Sequence, residues 1–160
     1  MATYLSSPLQ QGNLKEYLDD LSCTYQQMYK QADPQSLAKF LFTDKGLKGE
    51  EESYDDPQHS NLIYCIEEKK GNPVSLACIY MLVGYRLGLM IQGCNFPGHF
   101  LTKLDNRTHF VYCDCFSGGQ FIHKQDLIQV KEELWGNLDS ILNETANAQS
   151  IIKCFLADLI

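Results

Sequence analysis

The sequence predicts an α+β domain: helices in the first half, a small antiparallel sheet after them, and helices again at the end. Three observations predict it. Leu14, Tyr17, Leu18, Leu21 and Tyr25 recur at three- and four-residue steps, the spacing of an amphipathic helix. The run from Pro73 to Leu87 is almost uniformly apolar and, at that length, reads as a buried helix rather than a strand. After Gly88 the pattern changes to short β-rich runs separated by turn residues.

The first helix is expected from about Leu14 to Tyr29. A second, short helix is expected from Pro34 to Phe42, with Asp33 as N-cap and Pro34 in the first helical position. Gly49 to Pro57 is strongly acidic and reads as a solvated loop. Ser60 to Lys70 reads as a helix stopped by Gly71. Asn72 and Pro73 then cap and start the apolar helix, which Gly88 ends. Leu89 to Cys94, His99 to Leu104 and His109 to Asp114 form a meander, and Gln120 to Ile122 supply one further strand. Lys124 to Leu134 and Ala146 to Leu159 read as helices, with Trp135 between them as a packing anchor.

At 160 residues the chain reads as one domain, 1–160, large enough to bury a core. Apolar residues make up 44% of it, and no run approaches the ~18 needed to span a bilayer. The N-terminus has no basic region ahead of an apolar stretch. Seven scattered cysteines without an export signal point to a reduced, cytoplasmic setting. A net charge of −7 without a basic cluster argues against nucleic acid as a partner. Nothing in the sequence asks for a cofactor, and the cysteines lack the paired spacing of a zinc site.

The chemistry-bearing residues come in the order Ser75, His99, Asp114. Ser75 falls in the first turn of the apolar helix, where unpaired N–H groups and the helix dipole favour negative charge. A serine there needs a base to take its proton; His99 suits that role, with Asp114 to fix the tautomer. Each residue also has a plain structural use. Serine in a first turn satisfies helix-end N–H groups, a histidine after Pro-Gly caps a turn, and an aspartate before Ser-Gly-Gly serves the turn. Cys78 lies one turn beyond Ser75 and reads as a buried, inert thiol. Cys113 and Cys115 flank Asp114, so they face away from whatever it faces. His109 and His123 read as surface or core histidines.

Asp56-Pro57, Gly71-Asn72-Pro73-Val74-Ser75-Leu76, Arg86-Leu87-Gly88-Leu89, Pro97-Gly98-His99-Phe100-Leu101 and Asp114-Cys115-Phe116-Ser117-Gly118-Gly119 occur in that order. The run resembles the SirB-type branch of the transglutaminase-like superfamily, with a motif-bearing core at about 56–122. The resemblance implies a papain-like fold with Ser75, His99 and Asp114 at the Cys-His-Asp positions of active transglutaminases. Serine in place of the cysteine is typical of the branch. His59 departs from it, standing where asparagine is common. Two functions follow as expectations. The first is a non-catalytic domain that keeps a groove for a peptide or protein partner, because a site tuned for a thiolate loses activity with a hydroxyl. The alternative is a serine hydrolase or acyltransferase using the same three residues.

Overall fold

The computed structural model describes residues 2–52, 57–96, 99–105, 110–123 and 126; the side chains of residues 2–13, 95, 96, 99 and 105 lie outside the description. The helices expected over 124–134, Asp126 apart, and over 146–159, with Trp135, and His109 fall outside it as well.

Helix α1 runs Ala2–Met28, well beyond the start its apolar stripe suggested. Its buried face is Leu14, Leu18, Leu21 and Tyr25. Helix α2, Pro34–Lys39, begins as the sequence required, with the Asp33 carboxylate accepting from Ser36 N at 2.8 Å. It continues as a wider turn over Phe40–Asp44, so the apolar residues Phe40, Leu41 and Phe42 all reach the core.

The segment expected to be one helix from Ser60 to Lys70 is three pieces. Pro57–Ser60 is a 3₁₀ turn, α3 spans Leu62–Glu68, and Lys70–Gly71 is a two-residue strand, β2. Two local causes split it. Asn61 caps α3 from the β region, accepting from Ile63 N and Tyr64 N, so the helix cannot begin earlier. Lys69, not Gly71, ends it in the left-handed region at φ 60°. Strand β2 pairs in parallel with β1, Lys48–Gly49, which shortens the acidic loop expected from Gly49.

Helix α4 spans Pro73–Arg86, matching the apolar run. It is the core of the molecule: Leu76, Ala77, Cys78, Ile79, Tyr80 and Val83 are fully buried. It contacts α1, α2 and α3 on one side and strands β3 and β4 on the other. The Tyr80 hydroxyl reaches across to donate to the Pro34 carbonyl at 2.8 Å. The sheet is an antiparallel meander in chain order: β3 Ile91–Phe96, β4 His99–Asp105, β5 Phe110–Asp114 and β6 Gln120–His123. The architecture is therefore α+β, as the change of period at Gly88 required. Among the described residues no helix is long and apolar enough to cross a membrane.

Candidate functional site

Alternation along the strands sorts the site residues onto faces. Register pairs Thr102 with Cys113 and Lys103 with Tyr112. Leu104, Cys113 and Cys115 belong to the core built around α4, so that face of the sheet looks toward the helix. Tyr112, Asp114, Lys103 and, by the same count, position 99 belong to the other face. His99 and Asp114 therefore occupy one face on neighbouring strands. Ser75 stands on the helix that covers the opposite face. The second face is not a wet one: Leu101, Lys103, Tyr112 and Asp114 are all buried.

A short bridge of backbone joins the start of α4 to the exit of β5. A Cβ built on Gly49 would come within 2.6 Å of the Phe116 ring and carbonyl. Gly49 pairs with Gly71, and a Cβ on Gly71 would come within 2.6 Å of Ser75 Oγ. Two glycines thus let the β1–β2 ladder slip between Phe116 and Ser75.

Ser75 is fully engaged in the helix cap. The Asn72 carboxamide accepts from Ser75 N at 2.8 Å, and Ser75 Oγ accepts from Asn72 N at 3.0 Å. This reciprocal pair is a capping box in which serine takes the place of the usual Glu or Gln. The hydroxyl also lies 3.1 Å from the Asn72 carbonyl, a donor contact, and Ser75 is 1% exposed. The Cys65 thiol of α3 approaches Ser75 Oγ at 3.5 Å and the His59 carbonyl at 3.2 Å. Burial pushes the Cys65 thiol up, and the Ser75 hydroxyl pulls against that.

Asp114 serves the turn that follows it. Its Oδ1 accepts from Phe116 N at 3.1 Å and Ser117 N at 3.2 Å, while its carbonyl accepts from Gly119 N at 2.9 Å. Gly118 and Gly119 both take positive φ there, which a side chain would resist. The second, tightly packed against the Phe42 ring, leaves no room for a Cβ. The backbone of His99 lies at the start of β4, in register with Phe96; its side chain lies outside the description.

Cys78 is buried, and that burial, with Cys65 nearby as a lesser cause, lifts its thiol to about 12. Cys113 and Cys115 pack behind Asp114, where burial likewise pushes the Cys115 thiol up. Among the described residues all the cysteines are free thiols, and no three His, Cys, Asp or Glu side chains converge as a metal site would need. His123 is exposed on β6. The residue that sequence reasoning missed is Cys65. No periodicity links it to Ser75; the only signal is the small Gly71 between them, whose missing side chain lets the two meet.

His59 stands apart. It is fully buried in the 3₁₀ turn, and among the described residues neither ring nitrogen has a hydrogen-bond partner. Its ring lies against that of Tyr64, centroids 5.9 Å apart.

A family model described as the transglutaminase-like superfamily matches residues 11–156. A UPF0162 protein of Xylella fastidiosa strain 9a5c is 37% identical over 125 residues, covering 74% of this chain and 44% of that protein. A UPF0162 protein of Vibrio cholerae is 27% identical over 85 residues, 52% of this chain and 32% of that protein. The chain thus spans less than half the length of these curated relatives. No solved structure gives a significant match. A buried helix capped at Asn72 and laid on an antiparallel meander is the papain-type core, and the chain belongs to the transglutaminase-like superfamily.

Proposed function

We propose that this domain is a peptide- or protein-binding member of its superfamily in which Ser75 is a structural residue rather than a nucleophile. The observation that carries the reading is the state of the Ser75 hydroxyl. At 1% exposure it accepts from Asn72 N and faces the Asn72 carbonyl, so it has no free valence turned to a substrate. A serine nucleophile needs a base within reach of its proton, and here a backbone carbonyl occupies that direction. The Asp114 carboxylate oxygen Oδ1 is likewise used by two turn N–H groups.

The second reading is a serine hydrolase or acyltransferase with Ser75, His99 and Asp114 as its triad. Strand register favours it at one point, because positions 99 and 114 share a face on adjacent strands.

A fluorophosphonate probe separates the two. The binding reading predicts no labelling of the native chain and unchanged partner capture by Ser75→Ala. Labelling that disappears in Ser75→Ala establishes the hydrolase instead. Ser75→Cys adds a second measurement: iodoacetamide near neutral pH reacts slowly with a buried thiol, and fast with one paired to an aligned imidazole.

A further inference from the structure

One unassigned feature among the described residues is a surface pocket of about 220 Å³ lined from α1, α3 and the turn before β1. Its lining includes none of Ser75, His99 and Asp114. Its apolar lining is Leu21, Leu47 and Ile66. Two lysines, Lys45 and Lys69, and one carboxylate residue, Asp20, complete the lining with Tyr17. Among the described residues neither lysine lies within ion-pair distance of an acid. Lys45 Nζ lies 5.7 Å from the centre of the Phe40 ring. Burial pushes the Tyr17 hydroxyl up, with Glu67, on the same helix as Ile66, as a lesser cause; Tyr17 also lines the pocket.

The backbone at Lys69 adds a separate observation. Lys69 ends α3 at φ 60°, a conformation that glycine adopts freely and lysine does not. It is the one non-glycine residue with positive φ among those described. The helix cap needs only the Lys69 N–H, which donates to the Cys65 carbonyl. That cap makes no use of the side chain at a place where it is conformationally costly, and Lys69 lines the pocket together with Lys45.

We propose that this pocket binds a small carboxylate with a short apolar body. The carbon chain lies on Leu21, Leu47 and Ile66, and the carboxylate meets Lys45 and Lys69, two cations against the single unpaired Asp20. The proposal is independent of whether Ser75 reacts.

Titration of the 15N-labelled 160-residue chain with hexanoate, followed by amide shifts, tests it. The expected result is saturable shifts at Leu21, Leu47, Ile66 and Lys69 with a roughly millimolar midpoint, as suits so few ligand atoms. Lys69→Gly keeps the left-handed cap while deleting the amine, and Lys45→Gln deletes the other. Each is expected to weaken binding roughly tenfold, the loss of one charge-assisted contact. Hexylamine, the same body with the opposite charge, is expected not to saturate. Absence of saturable shifts with hexanoate, an equal response to hexylamine, or unaltered binding in both lysine variants overturns the proposal.

Discussion

The Cys65 sulfur lies 3.5 Å from the Ser75 hydroxyl oxygen, and both side chains are closed off behind the bare backbone of Gly71. A methyl group on Gly71 would stand 2.6 Å from Ser75 Oγ and 3.0 Å from Cys65 Sγ. To make room the serine must turn, and turning breaks the capping box. Gly71→Ala is therefore expected to cost about 1–3 kcal/mol in urea denaturation. In the Ser75→Ala background the same substitution should cost clearly less, because the obstructing oxygen is gone. Equal costs in both backgrounds would mean that the serine is not what Gly71 avoids.

The buried thiols set an alkaline limit on stability. Burial lifts Cys78 from its ordinary 9.0 to about 12, so the folded chain keeps this proton while the unfolded chain releases it. The associated stability is complete below about pH 9 and declines as pH rises toward 12. One such group contributes a slope of at most about 1.4 kcal/mol per pH unit. Unfolding free energy measured across that window should fall, and Cys78→Ala should fall less steeply whatever its starting stability. Parallel slopes for the two chains would contradict the assignment.

Among the described residues the two buried ring nitrogens of His59 have no partner, and a neutral imidazole has one donor and one acceptor to satisfy. Each unsatisfied group costs about 1–3 kcal/mol. Removing both by His59→Leu sacrifices the ring contact with Tyr64, worth about 0.5–1.5 kcal/mol. The expected outcome is a variant as stable as the native chain or more so. A loss above ~2 kcal/mol would show that the imidazole has a partner in solution, a buried water for instance.

Lys69→Gly makes a prediction independent of ligand. Relief of the left-handed strain is worth about 1–2 kcal/mol, and part of it is lost to the greater freedom of glycine in the unfolded chain. A rise in Tm of about 2 °C is expected. A fall would mean that the lysine side chain supports the fold.

The elements that local chemistry dictates were legible. Asn72-Pro73 announces α4, Asp33-Pro34 announces α2, and the turn residues after Gly88 divide the meander. Of the three proposed site residues, Ser75 and Asp114 have hydroxyl and carboxylate partners that their local sequence suggests: a first-turn cap and a turn before Ser-Gly-Gly. What the sequence hid is non-local or against propensity. The pairing of Lys48–Gly49 with Lys70–Gly71 is too short to leave a pattern. The left-handed Lys69 defeats the rule that glycine stops a helix, and it moved the expected boundary from Gly71. The faces of the sheet depended on register across a turn, which no single strand reveals.

The two-residue ladder between β1 and β2 has one more consequence. Lys48 N donates to the Lys69 carbonyl and Glu50 N to the Gly71 carbonyl, at 3.1 and 3.2 Å. These bonds close a neck at the two ends of the crossover from β1 to β2, and within that crossover α3 returns to the core through Leu62, Ile63 and Cys65. The crossover's length is thermodynamically forgiving, since closure entropy grows only logarithmically with added residues. Its neck is not, since both glycines are hemmed by neighbouring atoms. A single methyl at either glycine of this neck is therefore expected to disturb the fold more than a change in the length of the crossover.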